Sequence, residues 1–283
     1  MKITSKPLNI FKPEITKKFF NSASIGLECA LPESAKILKD ITWNTAVESV
    51  KKEYAELLCV KKDSISVFHN TTSAVQRVLT ILSNKELNEK CNFLITNSDY
   101  PGVIYTAYEL WRGEVFIANI DSFIWTNQAD IIDEYIYKAV LSVKPRVIYL
   151  SHVFRSSGYK ISLNLLKVIR NIDPRMIIII DGAQAVGNVV IGNEFLNLVD
   201  FYITSAHKWL CGKTTLGLVY SKPDWGADDP AQSYSKQLIS GGTGILDVLV
   251  SASTAIKDFN GRDIYKKIVA FFCRHVENIG DAF

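Results

Sequence analysis

The most informative residue in the middle of the chain is Asp181, which follows four consecutive isoleucines. A carboxylate that leaves so apolar a run is costly unless a cation or a hydrogen-bond donor accompanies it. A protonated heterocyclic nitrogen would meet that need. The alternative is a carboxylate that caps the segment 182–185, and the residues alone leave both interpretations open.

Lys208 is the second residue with a chemical use. It lies in segment 205–210, which reads SAHKWL, so apolar side chains flank the lysine on both sides. Burial disfavours the ammonium form and lowers the pKa of a lysine, which is the condition for forming a Schiff base near neutral pH. The alternative is a surface lysine whose stem crosses apolar neighbours.

Segment 70–74, which reads NTTSA, places three hydroxyls at the start of a predicted helix that continues through Val75, Val78 and Leu79. Free backbone N–H groups, the positive end of the helix dipole and these hydroxyls together suit a phosphate ester. The alternative is an ordinary helix N-cap with no ligand.

The elements that must position these residues are apolar runs of strand length, separated by segments with helical spacing. The predicted strands are Ser64–Phe68, Asn92–Thr96, Glu114–Ala118, Arg146–Ser151, Met176–Asp181, Phe201–Thr204 and Gly217–Tyr220. Two of these runs are apolar at every central position, which indicates strands buried on both faces. The sequence therefore predicts an α/β fold with a mainly parallel sheet, and a ligand crevice beyond the carboxyl ends of its strands.

Composition narrows the function classes. The 32 Lys and Arg residues are interspersed with 29 Asp and Glu residues, so no basic stripe predicts a nucleic-acid partner. No apolar run is long enough to span a membrane, and the Lys- and Pro-rich start offers no signal peptide, so a cytoplasmic location is expected. None of the five cysteines has the spacing of a zinc site, and we expect buried free thiols and no metal.

Segments 181–185 (DGAQA) and 205–212 (SAHKWLCG) together resemble the signature of the class V aminotransferase family of fold-type-I enzymes that depend on pyridoxal 5′-phosphate (PLP). The family includes cysteine desulfurases and isopenicillin N epimerase-like proteins. The similarity continues, in the same order along the chain, in segments 20–26, 71–72, 99–101, 151–153, 157–158 and 242–243. It covers nearly the whole chain and implies the large domain of the fold-type-I architecture.

The resemblance implies roles around the cofactor ring. Lys208 would form the Schiff base and act as acid and base at Cα, and Asp181 would keep the pyridine nitrogen protonated. Gln184 would donate to the 3′ oxygen, and Tyr100 would stack on the ring.

The resemblance also implies a phosphate site and a dimer. Thr72, Ser73, Ser205 and His207 would bind the phosphate, and Thr243 would reach the phosphate of a neighbouring subunit in a homodimer. His152 is interpreted as supporting the site from behind, and Trp209 and Trp111 are interpreted as packing residues.

Substrate binding is assigned to Arg155 and Asn21. Arg155 stands where desulfurases commonly carry a smaller amide, and its forked guanidinium suits a substrate carboxylate. The alternative is an arginine on the loop surface.

The resemblance predicts a PLP-binding large domain over residues 1–250 and the start of a truncated C-terminal domain over 251–283. That domain normally supplies a carboxylate-binding arginine and, in desulfurases, a persulfide-forming cysteine. A truncated gene, a fragment, or one half of a split protein with a separate C-terminal polypeptide would each explain the short ending.

The predicted function is PLP-dependent chemistry at Cα of an amino acid through an aldimine with Lys208, of epimerase or carbon–sulfur/β-lyase type. Aminotransferase and cysteine desulfurase are the alternatives within the class. From another class, the chain could be an inactive truncated homologue that serves as a binding or partner subunit.

Overall fold

The structure is a computed structural model that describes residues 42–85, 91–124, 129–213, 215–223 and 246–261. The strands are β1 (Ile65–Phe68), β2 (Phe93–Thr96), β3 (Val115–Ala118), β4 (Val147–Ser151), β5 (Ile177–Asp181), β6 (Phe201–Ser205) and β7 (Gly217–Ser221). The helices are α1 (Trp43–Leu58), α2 (Thr71–Lys85), α3 (Pro101–Leu110), α4 (Asp121–Ile124), α5 (Ala129–Val143), α6 (Leu163–Ile172), α7 (Asn193–Leu196) and α8 (Leu246–Gly261).

The seven strands form one sheet in the order β1-β7-β6-β5-β4-β2-β3. β7 runs antiparallel to its neighbours β1 and β6, and the remaining pairs are parallel. All seven predicted strands are present, with ends that differ by at most one residue from the prediction. The predicted α/β fold with a mainly parallel sheet is confirmed.

Both faces of the central strands are buried, as their continuous apolar sequence predicts. In β5, Ile178 and Ile180 belong to one hydrophobic cluster, and Ile177 and Ile179 belong to a second cluster on the opposite face. All four side chains are fully buried. The sheet is therefore a rigid platform whose carboxyl edge can hold side chains in fixed positions.

Helix α8 packs against α1 and contributes Leu249, Ala252 and Ile256 to the core. The hydroxyls of Ser49 and Ser253 are 2.6 Å apart across this contact. Residue 250, the predicted domain boundary, lies within α8, and the division into two domains stays a prediction. Asn21 and Thr243 lie outside the described residues.

The expectation of buried thiols is wrong for Cys59, whose side chain is exposed. Cys59 ends α1 in the left-handed conformation, with φ of 54°, and its sulfur donates to the carbonyl of Glu56. Cys91 and Cys211 are half-buried. Within the described ranges, no helix is both long and apolar enough to cross a membrane, and no three possible metal ligands are grouped together.

Candidate active site

A cavity of about 290 Å³ lies beyond the carboxyl ends of β4, β5 and β6, where the parallel sheet predicts a ligand crevice. The predicted site residues that line it are Thr72, Tyr100, Arg155, Asp181, Gln184, His207 and Lys208. Ser73 and Ser205 are not among the described residues that line it. The lining residues Asn70, Val153 and Ala183 lie in segments that the sequence analysis identified, but it assigned none of the three a role.

Asp181 lies at the end of β5 and is buried, with 7% of its surface exposed. Its Oδ2 accepts a hydrogen bond from the hydroxyl of Tyr149 at 2.8 Å, and its Oδ1 accepts one from the backbone N–H of Ala183 at 2.8 Å. The carboxylate therefore does hold the turn that follows it. Because each carboxylate oxygen can accept a second hydrogen bond, Asp181 can also bind a donor in the cavity.

Asp99 is a second buried carboxylate, to which the sequence assigned no role. One oxygen accepts from the backbone and hydroxyl of Thr96, and the other accepts from the backbone and hydroxyl of Ser151, at 2.7 to 2.9 Å. Burial raises the pKa of Asp99 to about 6, although these hydrogen bonds act in the opposite direction. Asp99 thus joins the ends of β2 and β4 directly before Tyr100.

Lys208 lines the cavity in the turn after β6. Burial lowers the pKa of its ammonium group, the charge of Asp181 raises it, and the charge of Arg155 lowers it further. The ammonium group of Lys208 is therefore deprotonated more easily than that of an exposed lysine. The neutral amine is the form in which a lysine acts as a nucleophile.

The start of α2 forms the opposite side of the cavity. Asn70 caps the helix, since its Oδ1 accepts from the backbone N–H of Ser73 at 2.8 Å. The hydroxyl of Ser73 donates to the Asn70 carbonyl at 2.9 Å, so it is engaged within the cap. A Cβ atom at Gly217 would lie 2.4 Å from the backbone of Asn70, so only glycine lets β7 approach the helix start this closely.

Two buried polar atoms lie at the end of β6 and in the turn that follows it. Among the described residues, neither Ser205 Oγ nor His207 Nδ1 has a hydrogen-bond partner. Burial, and to a smaller extent the charge of Lys208, lower the pKa of His207 and favour its neutral form. Unpaired buried polar groups are uncommon because each costs free energy, so these two atoms indicate a ligand position.

Gln184 lines the cavity, and its Oε1 accepts from the indole N–H of Trp209 at 2.9 Å. The interpretation of Trp209 as a packing residue is therefore incomplete, because its indole contacts a site residue. Trp111 is a packing residue as predicted: it is buried, lies against Phe93 and donates to the carbonyl of Cys91.

His152 lies next to the site and is not among the described residues that line it. Its Nδ1 is 3.0 Å from the hydroxyl of Tyr202, and its ring stacks on Phe195 with centroids 4.1 Å apart. Burial and the charge of Lys160 lower the pKa of His152 to about 3, so the ring is neutral at physiological pH. Its backbone N–H donates to the carbonyl of Asp181 at 2.8 Å.

Arg155 and Tyr100 stand at the mouth of the cavity. The guanidinium carbon of Arg155 lies 5.9 Å from the centre of the Tyr100 ring, within the range of a cation–π interaction. Arg155 belongs to a hairpin loop closed by the bridge between Val153 and Lys160. The two interpretations of Arg155 from the sequence are therefore compatible. The residue is exposed on the loop and also lines the cavity.

Comparison with known proteins relates the chain to one family model and to several solved structures. Residues 33–254 match the family model described as Aminotransferase class-V. A solved NifS-like protein is 18% identical, with a TM-score of 0.64 over 84% of this chain. A complex of the cystine C-S lyase C-DES with its product cysteine persulfide is 18% identical, with a TM-score of 0.68 over 88% of this chain and 74% of that one. A cysteine desulfurase from Thermococcus onnurineus NA1 is 16% identical, with a TM-score of 0.72 over 99% of this chain and 76% of that one.

The chain spans 65% of the length of the NifS-like protein. In a variant of C-DES, glycine is covalently linked to the PLP cofactor. No curated protein matches the sequence significantly. At these identities the structural likeness shows the fold, which is that of the fold-type-I PLP-dependent enzymes.

Proposed function

The chain belongs to the class V aminotransferase family of PLP-dependent enzymes, and on that basis we propose that it acts at Cα of an amino acid with Lys208 as the amine that binds PLP. One observation carries the proposal. A single cavity brings together an amine whose pKa is lowered by burial, a buried carboxylate, and the start of a helix.

The residues present fit PLP. Its phosphate needs hydrogen-bond donors. The structure offers Ser205 Oγ, the imidazole of His207 and the start of α2, where Thr72 lines the cavity. Its pyridinium nitrogen needs an anionic acceptor, and Asp181 has that capacity at the end of β5. Ser73 is the weakest of the proposed phosphate ligands, because its hydroxyl is engaged with Asn70.

PLP, when bound, withdraws electrons from Cα of an attached amino acid and so acidifies the Cα–H bond. Asp181 would hold the proton on the pyridine nitrogen, and its own place is fixed by Tyr149 and Ala183. Lys208 would take up and return the Cα proton, since burial favours its neutral amine. Tyr100 would cover the ring face at the mouth of the cavity.

The reaction we propose is epimerisation or carbon–sulfur/β-elimination. The likeness to a cystine C-S lyase supports the lyase type, and the HKWL segment at 207–210 supports the epimerase and lyase branch. Aminotransferase and cysteine desulfurase activity remain the alternatives. A desulfurase needs a mobile thiol, whereas Cys211 is half-buried in a left-handed turn with its sulfur 3.6 Å from the carbonyl of Trp209.

Substrate binding completes the proposal. Arg155 would bind the substrate carboxylate at the mouth of the cavity, which its place above Tyr100 supports. We also propose that Asn21 contacts the substrate and that Thr243 contacts the phosphate of a neighbouring subunit in a homodimer. The proposal includes a cytoplasmic location and, as an option, a separate C-terminal polypeptide.

The proposal is tested by covalent trapping. The purified chain is mixed with PLP, reduced with borohydride and digested, and the modified peptide is identified by mass spectrometry. We expect the label on Lys208, its loss in Lys208→Ala, and its retention in the control Lys222→Ala, because Lys222 bonds to the carbonyl of Asn197 away from the cavity. Label on other lysines, or none, would contradict the proposal.

The reaction type is then read from a panel of amino acids. Cysteine persulfide, ammonia and a keto acid from cystine would identify a lyase, because β-elimination breaks the bond between Cβ and sulfur. Solvent deuterium at Cα with inversion would identify an epimerase, and an amino-acid-dependent switch to the amine form of the cofactor would identify an aminotransferase. Label on Lys208 without any response to amino acids would uphold cofactor binding and contradict the enzymatic activity.

A further inference from the structure

Gly217, the first residue of β7, lies against the start of α2. A Cβ atom there would overlap the backbone carbonyl of Asn70 and lie 2.9 Å from the backbone nitrogen of Thr71. The hydroxyl of Thr71 also donates to the carbonyl of Thr204 in β6, at 3.4 Å. We propose that Gly217 is a positioning residue that sets the spacing between α2 and β6, so that donors of both elements bind one phosphate group. This inference rests on the proposed cofactor site.

The strand register places Gly217 opposite Ser205, the last residue of β6. Directly opposed residues of an antiparallel pair direct their side chains to the same face of the sheet, with Cβ atoms about 5 Å apart. The Cβ position of Gly217 faces α2, so the side chain of Ser205 lies on the face that α2 covers. The next residues on that face, Ile203 and Val219, belong to the same hydrophobic cluster as Val75 of α2.

The two elements each contribute donors at this place. The first N–H groups of a helix have no acceptor within it. The side chain of Asn70 accepts from the N–H of Ser73 at 2.8 Å, whereas α2 has no acceptor for those of Thr71 and Thr72, which both line the cavity. At the end of β6, the hydroxyl of Ser205 is buried without a described partner. A phosphate ester has three acceptor oxygens and can accept from both sets of donors at once.

A side chain at position 217 would change this spacing. Carbon atoms that are not bonded pack at about 3.5 to 4.0 Å, so a methyl group there would push α2 and β7 apart by about 1 Å. A hydrogen bond of about 2.9 Å is lost when its length grows by that amount. The ring end of the cavity would be affected less, because Asp181 lies on β5, which β6 separates from β7.

The test compares PLP with pyridoxal, which has the same ring and aldehyde but no phosphate. Each compound is titrated against the apoprotein, and the label that borohydride fixes on Lys208 is measured at each concentration by mass spectrometry. We expect Gly217→Ala to weaken PLP binding about tenfold, the scale of one lost hydrogen bond to a charged group, and to leave pyridoxal binding unchanged. A merely structural defect would weaken the binding of both compounds.

Gly113→Ala is the matched control. A Cβ atom at Gly113 would overlap the backbone carbonyl of Cys91, so this change also forces two backbone segments apart. Gly113 precedes β3, the strand at the opposite edge of the sheet from β1 and β7, and it is not among the described residues that line the cavity. Gly113→Ala should therefore keep the wild-type ratio of PLP affinity to pyridoxal affinity.

Ser205→Thr tests the same spacing if Gly217→Ala does not fold. Threonine suits a buried strand and keeps the hydroxyl, but its additional methyl group lies on the face between β6 and α2. We expect it to weaken PLP binding severalfold and to leave pyridoxal binding unchanged.

The outcomes distinguish this inference from the function on which it rests. Unchanged PLP affinity in Gly217→Ala, or an equal loss for PLP and pyridoxal, would overturn the positioning role alone. Where Gly217→Ala does not fold, unchanged PLP affinity in Ser205→Thr would have the same meaning. Failure of the wild-type protein to bind PLP at Lys208 would overturn the positioning role together with the proposed function.

Discussion

The two sides of the cavity differ in how their buried polar groups are satisfied. On the carboxylate side, both oxygens of Asp181 already have protein donors, and both oxygens of Asp99 have two each. On the helix side, Ser205 Oγ and His207 Nδ1 are buried without a described partner. The first side is complete in the protein alone, whereas the second would be completed by a ligand. The difference indicates that the two carboxylates stabilise the fold, whereas Ser205 Oγ and His207 Nδ1 are available to bind a phosphate.

The largest expected effect is on the carboxylate side. Asp181→Ala removes the acceptor of the Tyr149 hydroxyl and the Ala183 N–H, and leaves two buried donors unpaired. We expect the free energy of unfolding of the apoprotein to fall by about 4 kcal/mol, measured by urea denaturation. Asp181→Asn, which keeps one carbonyl acceptor, should cost less. An unchanged unfolding curve for Asp181→Ala would show that this side is not complete in the protein alone.

The next largest effect comes from His152, which lies next to the site. His152 is paired with Tyr202 and has a pKa lowered to about 3, below the usual 6.5 of an unfolded chain. The unfolded state therefore binds the proton first, so the stability from neutral His152 is full above pH 6.5 and is lost as the pH falls toward 3. Between pH 7 and pH 5 we expect a loss of about 2 kcal/mol.

His152→Phe should remove this part of the pH dependence in urea unfolding measured at both pH values. Asp99 acts in the opposite direction, because its raised pKa of about 6 gives stability that is lost as the pH rises from 4 to 6. Both proteins retain Asp99, so the difference between their curves isolates His152. Parallel curves would contradict the prediction.

On the helix side, Ser205→Ala should separate ligand binding from stability. Because Ser205 Oγ has no described partner, its removal leaves no group unpaired, and the apoprotein should keep its stability within about 1 kcal/mol. PLP should bind about tenfold more weakly, since one phosphate contact is lost. Titration calorimetry and urea unfolding of the same sample provide both numbers. A destabilised apoprotein with full PLP affinity would contradict the prediction, because Ser205 would then stabilise the fold and not bind the phosphate.

The sheet and the position of the cavity were predictable because they depend on local sequence. Strands buried on both faces need apolar residues at every position, and β4 and β5 show this directly. The polar residues at their carboxyl ends then had to meet at one edge. Asp181 was recognisable because it follows four isoleucines, and Lys208 because Trp209 and Leu210 follow it directly after a strand end.

The hydrogen-bond partners were less predictable, because they depend on which strands become neighbours. Asp99 acquires its role from the pairing of β2 with β4, which brings Thr96 and Ser151 to the same carboxylate. The bond from Trp209 to Gln184 depends on the turn at Gly187, which the sequence does not reveal. Two signals pointed to Asp99: it is a polar residue after β2, and it lies in segment 99–101, which the family resemblance includes.

The smallest expected effect concerns the mouth of the cavity. The mouth resembles the carboxylate side because contacts between protein residues keep it in place. The loop that carries Arg155 is fastened where the hydroxyl of Tyr159 donates to Asp133 at 2.6 Å and its ring lies 6.0 Å from that of Phe154. Tyr159→Phe removes only the hydroxyl, so Arg155 keeps its charge and loses part of its orientation. We expect KM for the amino acid to rise about threefold with kcat unchanged. The control is Tyr108→Phe on the exposed face of α3, which should alter neither constant. A fall in kcat at constant KM would contradict this prediction. It would show that the loop contributes to the chemical step and does not act through substrate binding alone.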